Sequence, residues 1–395
     1  MIFEYQKDNT YFAQVPGMME KICEDELIKL GAKNTKIAYR GIYFESDKQT
    51  LYKINYTSRT ISRVLAPLLK FYCRDAKAIM KVAEGVNWDS FFSVDQTFAI
   101  TSSVNKSTIN NSLYASQVLK DGIADYFRNK FGKRPNVDTT NPNVRFNLFI
   151  EKDKAVLSLD TSGESLHKRG YRLLAGEAPM QETLAAALII LSGWDGEKPL
   201  MDCMCGSGTI LSEALMHYCR IPAQYLRQNF GLFYLPDFDL KIWNEIKTES
   251  DEQIRPLKEG LIKGSDKSQI TINTAKDNLS RLPFGNKVKL SAHPFQHIKN
   301  FENGILITNP PYGIRLGTKK EVEFLYKELG DFLKTECNGT TAFIYTGDPE
   351  LRKHIGLKTT RRIPLVNGKL EGILLQIDSY SGSKKKKYQQ DGKSE

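Results

Sequence analysis

Residues 307–317 read ITNPPYGIRLG and follow the apolar run Gly304 to Ile307. The run reads as a buried strand, and it ends in Asn309, Pro310, Pro311 and Tyr312. Asn309 offers a side-chain carbonyl and Pro310 a main-chain carbonyl. The prolines lack N–H groups and fix their own φ, so both acceptors are held in place. Two such acceptors can grip the hydrogens of an exocyclic or amide NH2 and favour a pyramidal nitrogen with a free lone pair. The reaction would be an in-line displacement at an electrophilic carbon. Positioning alone can supply on the order of 7–11 kcal/mol of such a barrier, with neither a metal nor a strong base. Tyr312 offers a planar face, and stacking a base on it returns ~1–3 kcal/mol. That offsets part of the few kcal/mol needed to flip a paired base.

A second candidate loop carries Asp202 at a strand end, then Cys205, Gly206, Ser207, Gly208 and Thr209 at the start of a helix. Glycines there allow a tight turn and close approach of a ligand. No Gly-Lys-Ser/Thr follows, so it is not a P-loop, and no third glycine completes a dinucleotide fingerprint. A nucleoside without a pyrophosphate fits better, and S-adenosylmethionine is such a ligand. Its ribose hydroxyls call for an acid at the end of the next strand, ordinarily ~20 residues on. Asp266 has that context but lies much further along, so the aromatic-rich stretch 218–260 must be an insertion, its rings mostly packed. Asp266 would also serve as a helix N-cap.

These loops need a sheet beneath them. From residue 200 the pattern alternates strand and helix, the signature of a parallel sheet wrapped by helices. It closes with strands 361–366 and 370–377, expected to turn across Asn367-Gly368. Before residue 160 the pattern is α+β. There a basic helix is expected, carrying Arg59, Arg63, Lys70, Arg74 and Lys77 beside the apolar residues Ile61, Val64, Leu65 and Leu68. The linker adds Lys168, Arg169 and Arg172 around Tyr171.

The chain has 395 residues, which points to two or three domains. Its net charge of +10, with 56 basic and 46 acidic residues, suits a polyanion such as RNA. No segment approaches the ~20 apolar residues of a membrane span, and the N-terminus does not read as a signal peptide, so a cytoplasmic protein is expected. The six cysteines include only one C-x-C, without zinc spacing, so no metal site is expected. The lysine-rich tail 381–395 is expected to be disordered.

The motifs Asp202-Cys-Met-Cys-Gly-Ser-Gly-Thr, Asp266 and Asn309-Pro-Pro-Tyr-Gly resemble class I S-adenosylmethionine-dependent methyltransferases that modify amino nitrogens. The stretches Tyr56 to Arg59, Arg134 to Asp138, Leu166 to Arg172 and Ala178 to Ala187 are similar to bacterial 23S rRNA guanine-N2 methyltransferases with a THUMP domain. The resemblance implies a ferredoxin-like unit over 1–55, a THUMP RNA-binding domain over 56–160 and a linker with helix over 161–195. A Rossmann-like α/β methyltransferase domain, a mixed seven-stranded sheet closed by the hairpin, would occupy 196–380. Some relatives carry a second methyltransferase, and within these 395 residues only one is expected. Carried over, Pro179, Met180, Glu182 and Thr183 would line the methionine end of the cofactor. Gly206 and Gly208 would meet its backbone side and Asp266 its ribose. Asn309 to Tyr312 would hold the target amine. Relatives often have an aspartate beside the adenine where this chain has Ala292-His293-Pro294, so the contact would come from backbone or from His293. The same chemistry on tRNA, methylation of DNA adenine or of a protein glutamine, and a non-catalytic RNA-binding assembly factor are the alternatives. The basic N-terminal half counts against DNA and protein substrates, and the intact tetrad counts against pure binding.

Overall fold

The structure is a computed structural model and describes residues 1–172, 180–313, 318–368 and 370–379. Pro179 and the basic tail lie outside the described residues. The chain forms two compact units, Met1–Gly170 with Pro222–Glu252, and Tyr171–Ile221 with Gln253–Glu395.

The first unit is built on one seven-stranded sheet in the order β2-β3-β1-β4-β7-β6-β5. Its strands are β1 (Thr10–Gln14), β2 (Lys33–Ala38), β3 (Gly41–Glu45), β4 (Arg63–Tyr72), β5 (Phe98–Asn105), β6 (Val144–Glu151) and β7 (Lys154–Asp160). The basic helix expected around Arg59 to Lys77 is instead β4. Pro67 in its middle would break a helix, whereas here it sits where the ladder with β7 shifts register. Val64 to Leu68 are all buried because β4 is a central strand flanked by β1 and β7.

Residues 222–252 leave the second unit's sequence and pack into the first. Phe230, Phe233, Phe238 and Trp243 form a ring cluster with Tyr52 and Tyr56, with Phe230 and Trp243 centroids 4.9 Å apart. Tyr56 donates from its hydroxyl to Asp251 at 2.7 Å. Gly231 lies so close to β7 that a Cβ there would fall 1.9 Å from the Asp160 carbonyl oxygen. The aromatics are therefore packing, as their composition implies.

The second unit carries a sheet in the order β10-β9-β8-β11-β12-β14-β13. The strands are β8 (Leu200–Asp202), β9 (Ile262–Asp266), β10 (Lys289–Ala292), β11 (Ile305–Thr308), β12 (Thr341–Thr346), β13 (Arg361–Asn367) and β14 (Leu370–Asp378). β10 to β12 pair in parallel, and β14 runs antiparallel between β12 and β13. Helices cover both faces. Met201 and Leu306, paired across β8 and β11, join Val322, Leu329 and Leu333 of helix Lys319–Glu336 in one core. On the opposite face Gly264 meets helix Thr209–Cys219 so closely that a Cβ would lie 2.4 Å from Leu211 Cδ1. This is the parallel sheet with a terminal antiparallel hairpin that the strand–helix alternation implies. One detail differs: Asn367 pairs with Leu370 as the last rung of the hairpin, so it belongs to the strand, and Gly368 at φ 65° takes the left-handed position.

Candidate active site

The carboxyl ends of β9, β8 and β11 lie side by side, and each delivers one element of the site. β8 ends in Asp202, which is 1% exposed. Its Oδ1 accepts from the Met204 N–H at 3.2 Å and from the Thr308 hydroxyl at 2.8 Å. Burial pushes the carboxyl up to about 7. Thr308 was not singled out from sequence. A hydroxyl as the last residue of a buried strand is the signal, because a buried hydroxyl needs a partner.

The glycine turn follows. Gly206 has φ 51° and Gly208 φ 82°, both left-handed, and a Cβ at 208 would lie 3.2 Å from the Ala275 Cβ. Around Gly206 no heavy atom falls within 4 Å of the Cβ position, so this stretch of backbone is open to a ligand. The turn is held from three sides: Cys205 N–H donates to the Ser265 carbonyl (2.9 Å), Gly208 N–H to the Cys205 carbonyl (2.8 Å), and Asn278 Nδ2 to the Ser207 carbonyl (3.0 Å). Thr209 then opens the helix Thr209–Cys219.

Asp266 ends β9. Its Oδ2 accepts from the Gly206 N–H at 3.2 Å and its Oδ1 from Ser268 N–H at 3.0 Å. The cap of helix Gln269–Ser280 is Ser268, not Asp266. Asp266 instead links the end of β9 to the glycine turn, where an acid would meet a nucleoside's hydroxyls. Ala292, at the end of β10, pairs with Asp266 in the parallel ladder. His293 follows it, half-buried, and lines a cleft of about 280 Å³ with Lys263, Ser265 and His297.

β11 delivers Asn309 one residue after Thr308. The Asn309 Oδ1 is buried and has no hydrogen-bond partner among the described residues. An unpaired buried acceptor costs roughly 1–3 kcal/mol, which a donor brought to it would recover. Pro310 is buried, and Pro311 and Tyr312 are half-buried. Burial raises the Tyr312 phenol, and the Asn367 side chain opposes the rise.

Met180, Glu182 and Thr183, at the start of helix Glu182–Ser192, are all buried. Arg172 holds them. Its Nη2 donates to the Met180 carbonyl and to Thr209 Oγ1, both at 2.9 Å, and its Nη1 lies 3.4 Å from Glu182 Oε1. Arg172 therefore joins the starts of helices Glu182–Ser192 and Thr209–Cys219 and is not turned outward as an RNA contact. Two other expected RNA contacts are committed inside the first unit. Arg63 pairs with the buried Asp160 and donates to the Gly163 carbonyl at 3.1 Å. Arg169 is 1% exposed and donates to the Leu166 and Arg59 carbonyls. For Arg63 and Arg169 the decisive partners, Asp160 and the Arg59 carbonyl, lie far away in sequence, which hides the pairing from a linear reading. Arg59 is half-buried, with its N–H on Glu26 at 2.7 Å. Lys168 is exposed and pairs with Glu164, four residues before it.

Burial pushes the Cys203 and Cys205 thiols well up, which disfavours the thiolate a metal would need. Among the described residues no three His, Cys, Asp or Glu side chains converge as metal ligands would. Among the same residues no helix is long and apolar enough to cross a membrane.

Residues 169–376 match the RMKL-like methyltransferase domain, which spans more than half of the chain. The chain belongs to this family. Residues 73–160 match the THUMP domain and 10–65 the RlmL ferredoxin-like domain. A Synechocystis protein named putative RNA methyltransferase slr0064 is 36% identical over 94% of this chain and 97% of its own length. The ribosomal RNA large subunit methyltransferase K/L of Aliivibrio salmonicida is 36% identical over 91% of this chain, which spans only 52% of that longer protein. The crystal structure of SMU.472, a putative methyltransferase complexed with SAH, superposes with a TM-score of 0.81 at 28% identity, covering 95% of this chain and 99% of that one. An RMKL-like methyltransferase takes S-adenosylmethionine as cofactor, and the open Gly206 turn with Asp266 beside it suits a nucleoside ligand. Its THUMP domain marks the substrate as RNA.

Proposed function

We propose that the chain methylates the exocyclic N2 of a guanine in large-subunit (23S) ribosomal RNA. The cofactor supplies, when bound, an electrophilic methyl group. Met180, Glu182 and Thr183 would line its methionine end, the turn Gly206 to Gly208 its backbone side, and Asp266 its ribose, with His293 near the adenine. Asn309 Oδ1 and the Pro310 carbonyl would accept the two amine hydrogens, and Tyr312 would stack on the base.

The observation that carries this reading is the orphaned Asn309 Oδ1, one residue from the Thr308–Asp202 bond at the root of the cofactor turn. An acceptor left unpaired in a buried site fits an NH2 donor and has no structural use in the free protein. The large-subunit substrate is supported by the K/L relatives. Recognition of the RNA falls to the THUMP-containing unit, with Arg59 and the exposed Lys168 as the proposed contacts.

The test is methyl transfer from labelled cofactor to large-subunit rRNA from a strain lacking the enzyme, followed by nucleoside analysis. Label in N2-methylguanosine is expected. Asn309→Ala should lower turnover by at least ~100-fold, the scale of a mispositioned reactant, while filter-retained RNA is unchanged. Label confined to tRNA, or appearing in adenine, would overturn the assignment, and full activity in Asn309→Ala would remove the role given to the amide.

A further inference from the structure

β10 is the edge strand of the second sheet. A parallel crossover ordinarily brings a helix back onto the sheet. The other parallel crossovers do so with helices Thr209–Cys219, Gln269–Ser280 and Lys319–Glu336. Between β10 and β11, among the described residues, there is only the short turn of 3-10 helix Phe295–His297. A stretch of sheet face is thereby left without a helix, and what it carries is basic.

Gly264 of β9 and Leu290 of β10 turn towards helix Thr209–Cys219, since a Cβ at 264 would lie 2.4 Å from Leu211 Cδ1 and 2.9 Å from Leu290 Cδ2. Side chains alternate along a strand, so Lys263 and Lys289 take the opposite face. There they line a cleft of about 280 Å³ with His297 and Lys299, and none of the described residues lining it is acidic. Lys263 and Lys289 are direct partners in the parallel ladder. Two like charges thus stand side by side on strands roughly 5 Å apart, an arrangement that destabilises a sheet. Lys289 pairs with Glu259 at 3.1 Å and Lys299 with Glu336 at 2.9 Å, at the surface. Such pairs are worth about 0–1 kcal/mol and exchange readily for another anion. Half-buried Lys263 has no carboxylate partner among the described residues. The cleft reaches the adenine region only at its His293 end. Lys263 stands three residues before Asp266, roughly 10 Å back along β9.

We propose that this cleft is a phosphate site of the methyltransferase unit: Lys263 and Lys289 hold the backbone of the substrate RNA, with His297 and Lys299 beside them. An RNA backbone supplies permanently charged oxygens, which would relieve the repulsion between the two lysines. The inference rests on the reading of RNA as substrate and gives the second unit a contact of its own.

The test is the double variant Lys263→Gln/Lys289→Gln, which keeps most of both stems and removes both charges. RNA affinity of the full chain is measured by filter retention over a salt series. Binding should weaken on the order of tenfold at ~0.15 M salt, and the slope of log K against log salt should become shallower by about 1–2. Affinity for S-adenosylhomocysteine should hold, and Tm should hold or rise because the repulsive pair is gone. Unchanged RNA affinity and slope would overturn the inference. So would a loss confined to titrated inorganic phosphate, which would make the cleft a small-anion site, or a loss confined to S-adenosylhomocysteine. Should the double variant unfold, Lys289→Gln at the exposed position decides, and an unchanged slope overturns the claim. A wild type that retains no RNA removes the reading of RNA as substrate and this inference with it. A wild type that binds RNA beside unaffected variants removes this inference alone.

Discussion

The Thr308 hydroxyl donates to Asp202 Oδ1 at 2.8 Å, across two adjacent parallel strands. Asp202 leads into the glycine turn, and Thr308 leads into Asn309. One buried bond therefore ties the root of the glycine turn to the root of the Asn309–Tyr312 cluster. Thr308→Val keeps the shape and deletes the donor. It should destabilise the protein by about 1–3 kcal/mol, since Asp202 is left with one donor fewer in a buried site. Denaturant titration checks the stability, and calorimetry with S-adenosylhomocysteine should show weaker binding. Unchanged stability and affinity would reduce the bond to a bystander.

Asp202 also makes stability depend on pH. Its carboxyl sits at about 7 in the folded protein and near ~3.9 when unfolded. Between these values the folded state holds a proton that the unfolded state has lost, so the contribution is complete below ~4 and disappears as pH rises towards 7. The wild type should lose up to about 1.4 kcal/mol per pH unit from this group over that window. Asp202→Asn should flatten that part of the profile, measured by urea unfolding at several pH values. Parallel profiles would mean the group does not titrate there.

Asp266 bonds the Gly206 N–H and is assigned the ribose, so Asp266→Ala should cost affinity twice, through the turn and through the ligand. Losing charge-assisted bonds at about 1.5–3 kcal/mol each implies at least a tenfold weaker dissociation constant for S-adenosylhomocysteine. Turnover at saturating cofactor should survive better than affinity does. Calorimetry that finds the wild-type constant would remove the ribose assignment.

In the first unit, burial raises the Asp160 carboxyl and Arg63 opposes it. Arg63→Ala strands this acid and should destabilise the unit by about 3–5 kcal/mol, the usual cost of breaking a buried pair. The double variant Arg63→Ala/Asp160→Asn should recover part of the loss, because no charge is left behind. A phosphate contact at Arg63 would instead show as weaker RNA binding with stability intact.

Much of this was readable before any coordinates. Helix Ser112–Phe131 stops at Gly132, which takes φ 70°, as its pattern requires. Gly206, Gly208, Asp266 and Asn309 were legible for a similar reason: strand ends and left-handed turns are local, and the fold brings such ends to one edge. What sequence hid is long-range. Arg63 and Arg169 read as an RNA surface until a distant carboxylate and a distant carbonyl claim them, and Arg172 until the folded helix starts do. Strand β4 imitated a helix because a fully buried strand is apolar throughout and matches either period, with Pro67 the overlooked counter-sign. Asn367 looked like a turn residue because Asn-Gly serves turns so often. It is instead the hairpin's final rung and accepts from the Gln181 N–H, which spacing does not reveal.

The central claim is that cofactor and target amine meet at the shared edge of β8, β9 and β11. A crystal structure with S-adenosylhomocysteine tests it most directly. The account predicts the ribose on Asp266, the backbone of Gly206 to Gly208 against the ligand, and the sulfur facing Asn309 Oδ1 with room for one amino group between them. A ligand bound away from that turn, or a sulfur directed away from Asn309, would contradict it.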